Sequence, residues 1–154
     1  MEYILGEKED GCTFCRILAD GLARQSENLV LEFHDDLYVV MNRYPYNNGH
    51  VMVVPNRHVQ RLSQLSAKES ASLFDGVRAC ESLIERTLAC QGLNVGINLG
   101  KAAGAGIADH LHVHVVPRWD GDTNYMTTVG GLRVIVEHIR LTYDKLFEGL
   151  RDSR

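Results

Sequence analysis

No stretch of this chain is long and apolar enough to cross a membrane. The opening "MEYILGEKEDG" is acidic and lacks the apolar run of a secretory signal. Positive charge is also short: 16 Lys and Arg against 20 Asp and Glu give a net charge of −4. That argues against a broad basic surface for a nucleic acid polymer, but not against a small anion held by a few local groups. There is no internal repeat, low-complexity tract or linker, so the 154 residues read as a single domain, 1–154, large enough for its own core. Four cysteines without an export signal are expected to be reduced thiols or metal ligands and not disulfides. Together these features lead us to expect a cytoplasmic protein with no membrane partner.

What is present has a clear order. "LVLEFHDD" and "LYVVMNR" are β-branched and aromatic runs. "HVMVVP" follows after "YPYNNG", whose Pro, Asn and Gly supply turn geometry, so an antiparallel hairpin is expected from about Leu37 to Pro55. "SAKESASLFDGVRACESLIERTLAC" reads as a helix with a Ser66/Glu69 capping box, in which Leu73, Val77, Cys80, Ile84 and Leu88 recur at helical spacing. "LNVGINL" alternates Leu93, Val95 and Ile97 as a half-buried strand would. "LHVHVVP" reads as the next strand, stopped by Pro117. A last helix is expected from about Val136 to Arg151, burying Ile139, Tyr143, Leu146 and Leu150. This order predicts an α+β fold with a mainly antiparallel sheet, a long central helix and a C-terminal helix.

Three of the seven histidines fall in "ADHLHVHVVPRW", at His110, His112 and His114. In a strand, alternate side chains share a face. The histidines would occupy one face while Leu111, Val113 and Val115 fill the core on the other. Such a row could be a wetted sheet face, a metal cage, or a device for phosphorus chemistry. A neutral imidazole with a pKa near ~6.5 is a nucleophile at neutral pH and can split one hard displacement into two through a phosphoramidate. The preceding "NLGKAAGAGIADH" favours the third reading. Its Gly100, Gly104 and Gly106 let backbone approach a ligand, and successive N–H groups there could form an anion nest.

"HLHVHVV" matches the His-φ-His-φ-His-φ-φ signature of the histidine triad (HIT) superfamily of nucleotidyl hydrolases and transferases. The resemblance spans nearly the whole chain through "CTFCRIL", "MNRYPYNNGHVMVVPNRH", "GINLGKAAGAGIADHLHVHVVPRW" and "GDTNYM". It looks most like the bacterial diadenosine tetraphosphate phosphorylase branch. That branch often has Gln between the second and third histidines, where this chain has Val113. The hydrolases commonly have an apolar residue there, so water and phosphate both stay open as acceptor.

The resemblance implies a HIT-like fold, a homodimer in which two protomers extend one sheet, and a purine nucleotide or dinucleoside polyphosphate as substrate. It casts His112 as the nucleophile toward the α-phosphorus, His114 as a partner of the non-bridging oxygens, and His110 as a support for the site. Gly104, Ala105 and Gly106 would face the phosphate with their backbone, and Asn98 with its side chain. Asn42 would meet the ribose hydroxyls. Phe14 and Ile17 resemble an apolar base pocket, though both also read as ordinary core. No catalytic metal is required by this scheme.

Cys12 and Cys15 form a Cys-x-x-Cys, a spacing suited to two thiolate ligands of a tetrahedral metal or to a redox pair. The resemblance implies the first: relatives with this pair also carry a histidine after the strand, here His58, and use the first triad histidine. Cys12, Cys15, His58 and His110 would then make a closed, structural zinc site. Among the remaining candidates, His34 and His138 are expected at the surface and Cys80 on a packed helix face. His50 matches a family histidine beside the site. Arg43, Arg57, Lys101 and Arg118 could meet polyphosphate or simply be solvated. Trp119 could cover the nucleotide or lie in a subunit contact. Two other classes stay in view, a metal-centred enzyme using all three histidines and a nucleotide-binding regulatory module.

Overall fold

The computed structural model describes residues 11–123 and 137–152. A short helix, α1 (Thr13–Asp20), runs into a 3₁₀ turn and then three strands: β1 (Val30–Phe33), β2 (Leu37–Met41) and β3 (Val51–Pro55). The long helix α2 (Ala67–Leu88) follows, then β4 (Gly92–Gly96), β5 (Val113–Arg118) and the last helix α3 (Ile139–Arg151). The five strands form one sheet in the order β1-β2-β3-β5-β4 with every pair antiparallel. The fold is therefore α+β, as the element order predicts.

Alternation sorts the strands into two faces. Leu37, Val39, Met41, Val51, Val53, Val113 and Val115 join Leu73, Val77, Cys80, Leu83 and Ile84 of α2 and Tyr143 and Leu146 of α3 in the main core. The opposite face carries Val30, Tyr38, Val40, Met52 and Val54, covered by Phe14 of α1. Tyr38 is fully buried there, and its hydroxyl donates to the Phe14 carbonyl at 2.9 Å, which pins α1 to the sheet. Met52 pairs with His114 in the ladder, so the histidine row lies on this second face.

The predicted hairpin pairs Leu37 with Pro55 and Met41 with Val51. Helix α2 begins at the expected capping box, Ser66 accepting from the Glu69 amide and Glu69 from the Ser66 amide. Three expectations need correction. The strand read in "LHVHVVP" starts only at Val113 and passes through Pro117 to Arg118. Strand β3 pairs with β5 over Val113–Val115 alone, so Pro117 lies where β5 has only β4 beside it, and its missing N–H is tolerated as on an edge strand. Strand β4 ends at Gly96, and Val95 is 53% exposed because β4 is the edge of the sheet. The last helix starts at Ile139; Val136, and Asn124 to Met126 of "GDTNYM", lie outside the described residues. Among the described residues no helix is long and apolar enough to cross a membrane.

Candidate active site and metal centre

The three triad histidines and His50 are all buried, so the row is not a wetted sheet face. Buried imidazole nitrogens need partners, and here the backbone decides which nitrogen of each ring carries the proton. His112 Nδ1 lies 2.8 Å from the His110 carbonyl. A carbonyl only accepts, so Nδ1 holds the hydrogen and Nε2 keeps its lone pair. The Tyr46 amide donates to His50 Nδ1 at 3.0 Å, and the Asn42 side-chain amide approaches the same nitrogen at 3.3 Å. His50 must then carry its proton on Nε2, which donates to His114 Nδ1 at 2.9 Å. That leaves a proton on His114 Nε2, and this buried N–H has no partner among the described residues. A nucleophilic lone pair at His112 thus stands beside an unsatisfied donor at His114, with ring centroids 4.7 Å apart.

Burial holds both rings uncharged. It lowers the pKa of His112 below the usual histidine value against the opposing hydrogen bond to the His110 carbonyl. It takes His114 down to about 4, with the neighbouring His112 charge adding to the effect. At neutral pH the site therefore offers an imidazole nucleophile and not an imidazolium.

His110 faces the other way. Its Nε2 donates to the Pro55 carbonyl at 2.9 Å, which frees the Nδ1 lone pair. Nδ1 lies 3.3 Å from Cys12 Sγ and 3.7 Å from Cys15 Sγ, and Cys15 Sγ lies 3.3 Å from His58 Nδ1. The four ligand atoms fall within 4.8 Å of one another, so this set could hold a metal ion. A tetrahedral zinc with bonds of about 2.3 Å to sulfur and about 2.0 Å to nitrogen spaces its ligands roughly 3.3–3.8 Å apart; the three sulfur–nitrogen separations given above fall in that range, and the whole set lies within 4.8 Å. The Pro55 carbonyl also serves as the outer partner that fixes a metal-binding histidine tautomer. The row of three is thereby divided by position: the first histidine lies in the Cys/His cluster, and the third is hydrogen-bonded to His50 beside the second.

Phe14 is buried against both His112 and His110, with ring centroids at 5.0 and 5.5 Å. Ile17 is only half buried beside it. In the glycine loop, Gly100 and Gly104 take left-handed φ values of 89° and 84°, which favour glycine. The Ala105 amide turns onto the Gly100 carbonyl at 3.4 Å, Gly106 is exposed, and Ile107 packs with the Phe14 cluster, which brings the loop to the histidine face. Asn98 is half buried two residues beyond Gly96, the partner of His114 in the ladder. Asn42 accepts from the Tyr44 amide while its own amide points at His50.

His34 and His138 are exposed, and Cys80 is buried against the sheet. Arg118 is tied to Asp122 by two bonds and to Asn94 and Thr123, Arg57 to Glu69 and the Gln64 carbonyl, and Arg43 to the Glu27 carbonyl. Lys101 is exposed on the glycine loop and Trp119 is half buried. Sequence reasoning missed Tyr46, whose ring lies 4.8 Å from His50 and 5.5 Å from His114. The available signal was its position four residues before His50 in a Pro/Asn/Gly turn.

An antiparallel sheet carrying an oriented His-x-His pair is what the resemblance to histidine triad proteins leads one to expect. The HIT domain family matches residues 23–121, and the chain belongs to it. An AP-4-A phosphorylase of Mycobacterium tuberculosis is 47% identical over 116 residues, which are 75% of this chain and 60% of that protein. This chain therefore spans less than two thirds of the length of that relative. The asymmetrical bis(5'-nucleosyl)-tetraphosphatase of Schizosaccharomyces pombe is 39% identical over 82 residues, 53% of this chain and 44% of the yeast protein. A zinc-bound histidine triad family protein from Mycobacterium smegmatis shares the fold with a TM-score of 0.74 at 23% identity, covering 93% of this chain and 95% of that chain.

Proposed function

We propose that the protein is a nucleotidyl transferase that cleaves dinucleoside polyphosphates at the α-phosphorus through a nucleotidyl-His112 intermediate. The observation that carries this reading is the fixed pair of tautomers, a lone pair on His112 Nε2 next to an unpaired N–H on His114. His112 Nε2 attacks the α-phosphorus and forms the P–N bond as the bond to the bridging oxygen breaks. His114 Nε2–H donates to a non-bridging oxygen as charge builds on it. With diadenosine tetraphosphate, ATP leaves and AMP stays on His112. In the second displacement an acceptor oxygen attacks the same phosphorus and returns the electron pair to Nε2. Inorganic phosphate as acceptor releases ADP; water releases AMP.

Likeness to the mycobacterial phosphorylase favours phosphate. Likeness to the yeast tetraphosphatase, and Val113 within the triad, favour the second reading, hydrolysis of dinucleoside polyphosphates or nucleoside phosphoramidates. Water is abundant, so phosphate must win by positioning. With diadenosine tetraphosphate as substrate, added phosphate should give ADP with ATP at a rate that rises with its concentration, read by chromatography of the products. AMP with ATP, indifferent to phosphate, would make the protein a hydrolase. Tight nucleotide binding without turnover would leave the regulatory module.

Asn42, Asn98, Ile17, Phe14 and the backbone of Gly104, Ala105 and Gly106 are the proposed contacts to ribose, base and phosphate. Zinc would be held by Cys12, Cys15, His58 and His110. A closed four-ligand zinc ties chain segments together and supplies no open position for chemistry. The chain's acidic balance supports a cytoplasmic setting. The exposed β4 edge, with Val95 outward, supports a homodimer in which two sheets join. Sedimentation at micromolar concentration should give twice the mass of the chain, and Val95→Lys should shift it toward one; a wild-type monomer would contradict this.

A further inference from the structure

The unpaired N–H on His114 exists only because His50 is held in one tautomer, and that tautomer depends on where the Tyr46 amide sits. Asn42 also reaches His50 Nδ1, and its amide is held in the donating orientation by the Tyr44 amide on its Oδ1, so a second backbone N–H of the same turn bears on the tautomer. The turn bearing Tyr46 is fastened by the next residue. Asn47 Nδ2 donates to the Pro117 carbonyl at 3.1 Å and to Asp122 Oδ2 at 2.8 Å. Both partners only accept, so the orientation of the amide is fixed. Asn47 Oδ1 receives the Asn48 amide and its backbone carbonyl receives the His50 amide at 3.3 Å. Asp122 is itself set by Arg118 and by the Trp119 amide. Beneath the turn, Gly49 has φ +72°, and a Cβ there would lie 2.3 Å from Leu88 Cδ1 and 3.2 Å from Pro117 Cγ, so the chain already sits as close as it can to β5 and α2.

We propose that Asn47, clamped by Asp122, is a positioning residue for the histidine pair: it fixes the turn whose Tyr46 amide sets the tautomer of His50 and so the donor at His114. If the turn slips, His50 can move its proton to Nδ1, its Nε2 then accepts, and the proton of His114 must move to Nδ1. His114 would then present a lone pair to the phosphate oxygen in place of a hydrogen. Neither residue touches the reacting atoms. Only the kinetic part of this inference rests on the nucleotidyl-transfer reading.

Long-range ¹H–¹⁵N correlation of the histidine rings in the full, metal-loaded chain reads each tautomer without substrate. The wild type should show His50 and His114 both protonated on Nε2. Asn47→Ala and Asp122→Ala should each add a His114 population protonated on Nδ1. Asp122→Asn, whose amide oxygen still accepts from Asn47, should restore the wild-type pattern. Loss of one oriented donor predicts a fall in kcat of about 100-fold for Asn47→Ala with KM within about twofold. Folded Ala variants that keep the wild-type pattern overturn the proposal. A wild-type His114 protonated on Nδ1 overturns it with no variant needed. A protein inactive on every dinucleoside polyphosphate sinks the proposed function and leaves the tautomer test standing.

Discussion

Replacing His112 with Ala should lower turnover by about 10,000-fold or more while nucleotide still binds. A nucleophile carries the covalent route itself, whereas a hydrogen-bonding group contributes one stabilising contact among several. Ala at this position removes the lone pair that the His110 carbonyl leaves on Nε2. It does not touch Asn42 or the glycine loop, so affinity measured by calorimetric titration should change little. The ring also packs on Phe14, so the variant will lose some stability; retained metal content and an intact thermal transition would show that the loss of rate is chemical. A folded His112→Ala protein with a rate near that of wild type would remove the basis for the mechanism.

Cys12→Ala should have the second largest effect, on metal and stability together. Protein prepared without chelator should carry about one zinc per chain, and the variant should carry almost none by elemental analysis. The cluster joins the start of α1, the chain after β3 and the chain before β5, three segments far apart in sequence. Structural zinc contributes several kcal/mol to folding, so at roughly 2–4 °C per kcal/mol for a chain of this size Tm should fall by about 10 °C or more. The His110 carbonyl orients His112, so loosening His110 should also slow turnover, though by less than removing His112. Metal-free wild type, or a variant that melts with the wild type, would contradict the zinc assignment.

The sequence made the framework legible where a local rule had no competitor. The turn residues between β2 and β3, the Ser66/Glu69 box and the 3.6-residue spacing along α2 each act within a few residues, and each has its predicted form. The histidine row and the Cys-x-x-Cys were visible as chemistry because such side chains make poor core. What escaped was set at a distance. Pro117 within β5 and the exposure of Val95 follow from which strand ends up at the edge, a property of the whole sheet. The pairing of Arg118 with Asp122 across the turn after β5 is likewise not marked by any local pattern. Phe14 reads as base pocket or as core, and its burial against His112 and His110 is compatible with both. The proton chain from the Tyr46 amide through His50 to His114 joins segments 64 residues apart, and spacing carries no trace of it.

The central claim is that nucleotide passes through a bond to His112 Nε2. Enzyme mixed with diadenosine tetraphosphate and quenched in alkali within one turnover, where a phosphoramidate survives, can be digested and its peptides weighed. The account predicts an AMP adduct on the peptide containing His112, lost on brief acid treatment and missing from His112→Ala. Turnover with no adduct at any time, or with an adduct on another residue, would contradict it.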